Sequence, residues 1–138
     1  MKETCWDDCI ISKNSVKVSS DVAKSRSLVE TAKGRIDYTN EAEIKESNAN
    51  YILEDYYTSI LEIVHANALL SGYKINNHIC TGFYLRDILK RDDLFRIFDD
   101  LRFKRNSLTY YGKKMDFETA KIAIINAKSL IKKLFELK

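Results

Sequence analysis

The feature that most constrains the fold is a broad apolar stripe between residues 49 and 70. Large side chains recur there at three- and four-residue intervals, the period of a helix. The stripe consists of Ile52, Leu53, Tyr56, Tyr57, Ile60, Leu61, Val64, Ala68 and Leu69. A stripe this wide must be covered by more than one neighbour. It predicts a central helix from about Ala49 to Leu70, ended by a glycine cap at Gly72. The helix is either wholly internal to a bundle or also part of a dimer surface.

The rest of the chain supplies helices that can cover this one. There is no proline and there are four glycines among 138 residues, which favours helices joined by short turns. We predict one all-α domain over residues 1–138, an up-and-down bundle of four to five main helices. Its first 18 residues form a short extension packed on the bundle, with a short helix and then a polar turn from Ser12 to Lys17.

Capping residues set the predicted ends of the main helices. We expect one helix after Ser19-Ser20-Asp21 to about Asp37, and a third main helix from Asn76 or Asn77 to about Lys90. A fourth begins at Arg91-Asp92-Asp93, and a last one is capped by Asp116. Gly82 falls inside the third helix, where glycine costs stability, so we expect a close contact with another helix there.

Other features of the sequence bear on the location of the protein and on the state of its cysteines. No apolar run reaches the roughly 18 residues that a membrane span needs, and the first eight residues are too polar for a signal peptide. We therefore expect a cytoplasmic protein without membrane association. Cys5, Cys9 and Cys80 are expected to be reduced thiols, with a metal pair of Cys5 and Cys9 as the alternative. We expect neither a metal nor a cofactor.

An arginine lies where the helical pattern calls for an apolar residue. Leu94, Phe98, Leu101, Arg105 and Leu108 follow each other at steps of four, three, four and three, so Arg105 belongs to the buried stripe. Burying a guanidinium is costly unless a partner compensates for it. Either Arg105 is a structural anchor or it is functional. As a structural anchor, Arg105 would either pair with an acid, such as Glu62, Asp55 or Asp87, or stack on a tyrosine ring.

The residues around this arginine form a recognisable string. Arg105-Asn106-Ser107-Leu108-Thr109-Tyr110 is followed by Tyr111-Gly112-Lys113-Lys114, and no acid lies between Leu101 and Met115. The string resembles the signature of the HEPN family, an arginine often followed by Asn and, four to six residues later, a histidine. Tyrosine stands here at the histidine position. The resemblance extends over nearly the whole chain, because a long helix ending in Ala-Leu-Leu-Ser-Gly-Tyr precedes a helix led by His78.

The resemblance implies a metal-independent endoribonuclease in which two motifs meet across a homodimer cleft, and with it the role of the toxin in a toxin-antitoxin pair. The ribose 2′-hydroxyl would attack the adjacent phosphate, with RNA as the substrate. Arg105 suits the charge on the phosphoryl oxygens, and Asn106 would either orient the hydroxyl or hold the arginine. The site residues implied are Arg105, Asn106, Tyr110 and Tyr111 for catalysis, with Arg102, Lys104, Lys113, Lys114 and His78 for binding the phosphate backbone.

Proton transfer is the gap in this interpretation. A tyrosine with a pKa of about 10 is a poor base at neutral pH, so His78 or His65 would have to be supplied by the fold. We expect His78 to be an exposed residue at a helix start and His65 to be a satisfied core or interface histidine. The alternative function is a non-catalytic module that binds RNA or a nucleotide, or accompanies a nucleotidyltransferase that modifies the motif tyrosines.

Overall fold

A computed structural model describes residues 2–137, together with their side chains apart from that of Tyr110. The elements are α1 (Trp6–Ile11), β1 (Ser15–Lys17), α2 (Val22–Asn40), α3 (Ala49–Leu70), β2 (Tyr73–Ile75), α4 (His78–Phe83), a π-helical turn (Tyr84–Ile88), α5 (Asp92–Tyr111) and α6 (Phe117–Phe135). The protein is an all-α helical bundle, as predicted. Among the described residues, no helix is both long and apolar enough to cross a membrane.

Helix α3 is the centre of the bundle. It packs along α2 and α6 and also contacts α4, α5 and β2. Its side chains Tyr56, Tyr57 and Ile60 are fully buried, which confirms that its broad stripe is covered on several sides. Helix α6 contributes the opposing apolar face, from Ala120 to Leu134. The core therefore lies along α3, and the shorter elements are arranged around its ends.

Local capping chemistry sets the helix ends. The side chains of Asp21, Asn77 and Asp116 each accept a hydrogen bond from the amide three residues later, which confirms the predicted starts of α2, α4 and α6. Gly112 ends α5 in the left-handed conformation, with φ of 61°. A residue with a Cβ is strained in this conformation, so glycine suits the position.

The polar turn predicted from Ser12 to Lys17 is wrong in its second half. Residues 15 to 17 form β1, which pairs antiparallel with β2 in the register Ser15↔Ile75 and Lys17↔Tyr73. A three-residue strand is too short to show the alternation that identifies strands in a sequence. Strand β1 is stabilised by hydrogen bonds to β2, which is remote along the chain. The pairing attaches the N-terminal segment to the end of α3.

The expectation of three reduced thiols is also wrong. Cys9 and Cys80, both fully buried, form a disulfide that joins α1 to α4 across a sequence separation of 71 residues. Only Cys5 is free among the cysteines, and it is half-buried. The described residues contain no cluster of three or more His, Cys, Asp or Glu that could hold a metal ion. The packing of α1 against α4 brings the two sulfur atoms together, which no local spacing could indicate.

The third predicted helix is not continuous to Lys90. Helix α4 ends at Phe83, and the chain continues through the π-helical turn, so the wider turn replaces the second half of the predicted helix. The close contact expected at Gly82 is confirmed, because a Cβ there would lie 3.2 Å from the Phe95 ring and 3.3 Å from the Phe98 ring. This glycine allows α4 to approach α5, and that approach shapes the site described next.

Candidate functional site

An open groove lies between the start of α4 and the C-terminal half of α5. Its lining residues are Asn76, Asn77, His78, Ile79, Arg102 and Asn106. Arg102 and Asn106 are four residues apart on α5 and therefore project from the same face. His78 is the first residue of α4, which the Gly82 contact holds against α5. The fold thus brings a histidine to the Arg-Asn motif from an earlier helix.

His78 is held from the bundle side and is not the exposed residue that was predicted. Its Nδ1 lies 3.2 Å from the hydroxyl oxygen of Tyr57, and the two ring centroids are 5.6 Å apart. Burial lowers the pKa of His78 below its ordinary value, and the positive charges of Arg105 and then Arg102 lower it further. The imidazole is therefore uncharged at neutral pH, the state that can accept a proton.

Arg105 lies on the buried stripe, as predicted, with 16% of its side chain exposed. Its guanidinium carbon lies 5.4 Å from the centroid of the Tyr57 ring, which confirms the stacked tyrosine. The acid that approaches it is Glu54, whose Oε1 lies 3.7 Å from Nη2. The prediction of Glu62, Asp55 or Asp87 as the acidic partner is wrong.

Arg105 is only loosely held by this acid. A separation of 3.7 Å is too long for a hydrogen bond, and the Glu54 side chain is 37% exposed, so solvent screens the pair. Nε of Arg105 and Oδ1 of Asn106 are buried, and neither has a hydrogen-bond partner among the described residues. A buried polar atom without a partner costs about 1–3 kcal/mol, so these two atoms are unfavourable for a purely structural role.

Acids of the preceding turn partly neutralise the basic run that the sequence shows around the motif. Arg102, whose side chain is 15% exposed, donates from Nη2 to Asp99 at 2.9 Å. Lys104 donates to Asp100 at 2.7 Å. Both acids lie outside the acid-free run itself, at a spacing of three or four residues. Arg102 therefore reaches the groove with one side of its guanidinium already bound.

The predicted phosphate-binding residues do not form one surface. Three of them, Lys104, Lys113 and Lys114, line a separate open groove between α5 and α6, together with Ser107, Met115, Asp116 and Thr119. The remaining two, Arg102 and His78, line the first groove. Lys114 also lies over the Tyr51 ring, with Nζ 5.1 Å from its centroid. The structure therefore divides the expected basic patch between two faces of α5.

Of the two motif tyrosines, Tyr111 is the one whose side chain the structure describes, and it lies away from the groove. Tyr111 ends α5 and is 81% exposed, and it is not a lining residue of either groove described above. The side chain of Tyr110 lies outside the described part of the structure. His65 is the satisfied histidine that was expected, with Nε2 3.0 Å from Thr81 Oγ1. Burial, and then the charge of His78, lower the pKa of His65 to about 4.

Sequence reasoning missed Tyr57 as a site residue. Its side chain is fully buried, yet it contacts both His78 and Arg105. The sequence shows it only as one aromatic member of the α3 stripe. A signal was present, since a buried tyrosine hydroxyl requires a polar partner. The identity of that partner depends on how α4 packs against α3.

The fold and groove define the class as an all-α helical bundle with one open groove, which is lined by a histidine, an arginine and three asparagines. No family model, curated protein or solved structure matches this chain.

Proposed function

We propose that this chain is a HEPN-like, RNA-associated protein that acts as a metal-independent endoribonuclease through Arg105, Asn106 and His78. The observation that carries the proposal is the position of His78 in one groove with Arg102 and Asn106. Tyrosine occupies the motif position where a histidine is usual in the family. A histidine from the preceding helix provides the missing proton-transfer group.

The groove offers the groups that intramolecular cleavage of RNA requires. The uncharged His78 accepts the proton of the ribose 2′-hydroxyl as its oxygen attacks the adjacent phosphorus. The bond from phosphorus to the 5′-oxygen then breaks, and that oxygen takes a proton from solvent or from the histidine. The products are a 2′,3′-cyclic phosphate and a 5′-hydroxyl. Arginines stabilise the charge that develops on the phosphoryl oxygens, because a guanidinium stays charged and binds phosphate through two parallel hydrogen bonds.

Arg105 and Asn106 have distinct parts in this reaction. Arg105 has only a long contact from Nη2 to Glu54 and keeps 16% of its side chain exposed, so its terminal donors are available to a phosphate that displaces this contact. Asn106 orients the ribose by donating from its side-chain amide nitrogen to the 2′-oxygen, which leaves the hydroxyl hydrogen to His78. The proposal includes a homodimer in which two grooves form one cleft, and a place as the toxin of a toxin-antitoxin pair. These parts rest on the resemblance alone.

The test is cleavage of a panel of single-stranded and hairpin RNAs by the purified protein in the presence of EDTA. We expect fragments that end in 2′,3′-cyclic phosphate. Arg105→Ala should reduce the rate at least 100-fold, the scale of losing one donor to transition-state charge. Arg35→Ala is the matched control, because Arg35 also pairs with a glutamate, Glu62, but lies on α2.

The two histidines of the chain provide a second matched pair. His78→Gln should abolish cleavage, because glutamine cannot take up the proton. His65→Gln should leave the rate at neutral pH unchanged, since His65 does not line the groove. Intact RNA with the wild-type protein, or equal rates for Arg105→Ala and wild type, would contradict the proposal.

The exposure of Tyr111 favours a second candidate, a non-catalytic partner of a nucleotidyltransferase. Its side chain is 81% exposed at the end of α5, so its hydroxyl is accessible to another protein. In this role the groove binds RNA or a nucleotide without cleaving it. Co-purification of a nucleotidyltransferase, together with a nucleotide adduct on Tyr111 found by mass spectrometry, would support it. A Tyr111→Phe protein that carries the same adduct would place the modification elsewhere.

A further inference from the structure

Tyr57 connects the two functional side chains that come from different helices. Its hydroxyl contacts Nδ1 of His78 at 3.2 Å, and its ring lies under the guanidinium of Arg105, 5.4 Å from Cζ. The same ring stacks on Phe98 of α5, with centroids 5.6 Å apart and planes 17° apart. One buried side chain of α3 thus contacts the first residue of α4 and two residues of α5.

We propose that Tyr57 is the positioning residue of this site, fixing the tautomer and orientation of His78 and supporting Arg105 with its ring. The inference rests on the proposed function for its catalytic consequence but not for its structural content. The two nitrogens lie on opposite edges of an imidazole, so a hydrogen bond from the bundle side at Nδ1 directs Nε2 towards the groove. Tyr57 does not itself contact substrate.

The stacking on Phe98 makes Tyr57 a rigid support. Phe98 is fully buried on the face of α5 that also carries Arg105. An offset stack of two buried rings restricts the plane of each. Because the Tyr57 ring is restricted, its hydroxyl is held at a fixed point next to His78, and its face is held next to Arg105. The ring thereby sets the distance between the proton acceptor and the cation.

The neighbouring residue provides a matched control. Tyr56 is 1% exposed and donates its hydroxyl to Oδ1 of Asn40, on α2. Tyr57→Phe and Tyr56→Phe therefore each remove one buried hydroxyl, from adjacent positions of the same helix. Only the first removes a contact of His78. A difference between the two variants reports the role of that contact and not the general cost of losing a hydroxyl.

The primary readout is the tautomer of His78, observed by the ¹⁵N chemical shifts of the imidazole nitrogens. The chain has two histidines, and His65→Gln assigns their signals. We expect a single His78 tautomer in the wild type and in Tyr56→Phe, and a mixture of both in Tyr57→Phe. A tautomer mixture in the wild-type protein would overturn the proposal whether or not Tyr57→Phe folds. A single tautomer in Tyr57→Phe, unchanged from the wild type, would also overturn the proposal.

The rate of RNA cleavage is the second readout. We expect kcat of Tyr57→Phe to fall about 10- to 100-fold, by analogy with the range for residues that orient a metal-bound histidine through its second nitrogen, with a small change in KM. Tyr56→Phe should retain the wild-type rate. Equal rates in the two variants would refute the catalytic consequence. If the wild-type protein cleaves no RNA, the proposed function fails, while the ¹⁵N spectra still decide whether Tyr57 positions His78.

Discussion

Acidification should destabilise the protein through His65. Burial lowers the pKa of His65 to about 4 from its ordinary value of 6.5. Between these two values the unfolded chain binds a proton that the folded protein does not, so the free energy of unfolding decreases as the pH falls. The contribution of His65 is fully present above pH 6.5, is lost progressively towards pH 4 and is constant below that.

The size of the effect follows from the difference between the two pKa values. One pKa unit corresponds to about 1.4 kcal/mol, so the full contribution is about 3 kcal/mol, of which about 2 kcal/mol is lost between pH 7 and pH 4.5. The cost arises from burying the charge and not from losing a hydrogen bond. Thr81 donates its hydroxyl to the carbonyl oxygen of Asn77, so it accepts from Nε2–H of His65 in both charge states.

The assay is urea unfolding of the wild type and of His65→Gln at several values of pH between 7 and 4.5. Glutamine retains a donor for Thr81 but has no charge to bury. Carboxylates and His78 titrate in both proteins, so the difference between the two unfolding free energies isolates His65. We expect this difference to change by about 2 kcal/mol over the range, in favour of the variant at low pH. Parallel curves would refute the reasoning.

Two further predictions concern the fold. Reducing the disulfide between Cys9 and Cys80, which closes a sequence separation of 71 residues, should lower the free energy of unfolding by about 4 kcal/mol in urea titrations with and without reductant. Cys5→Ser should respond to the reductant as the wild type does, and an insensitive wild type would contradict the bridge. Gly82→Ala should destabilise by about 1 kcal/mol, because its methyl group meets two phenylalanine rings at 3.2–3.3 Å. Gly34→Ala, with nothing within 4 Å, should instead stabilise by up to about 1 kcal/mol, and a shift of the same sign in both variants would refute the close contact.

The helices were predictable because their signals are local. The α3 stripe and the caps at Asp21 and Asp116 lie within the elements that they define, and the structure has these helices where the sequence predicts them. The pairing of β1 with β2 and the disulfide depend on residues remote from each other along the chain. No stretch of sequence contains both partners, so periodicity cannot reveal them.

The site was predictable only in part, for the same reason. The position of Arg105 on the buried stripe follows from spacing within α5. Its acidic partner depends on the rotation of α3 about its own axis, and a rotation of 100° separates Glu54 from Asp55. The place of His78 depends on the approach of α4 to α5 at Gly82. The prediction of an exposed histidine treated the start of a helix as a solvated end, which holds only where no neighbouring helix covers it.

Helical geometry also explains why a basic run in the sequence does not become one basic surface. At 3.6 residues per turn, Arg102, Arg105 and Asn106 lie within about 100° of each other, whereas Lys104 is about 200° from Arg102. Acids one turn earlier then pair with Arg102 and Lys104. The groove consequently has a small number of positively charged side chains in fixed positions, and it is not part of a large basic surface. An anion in this groove would be selected by its fit to guanidinium donors and an imidazole, which is the recognition that cleavage at a phosphate requires and that a diffuse lysine surface does not provide.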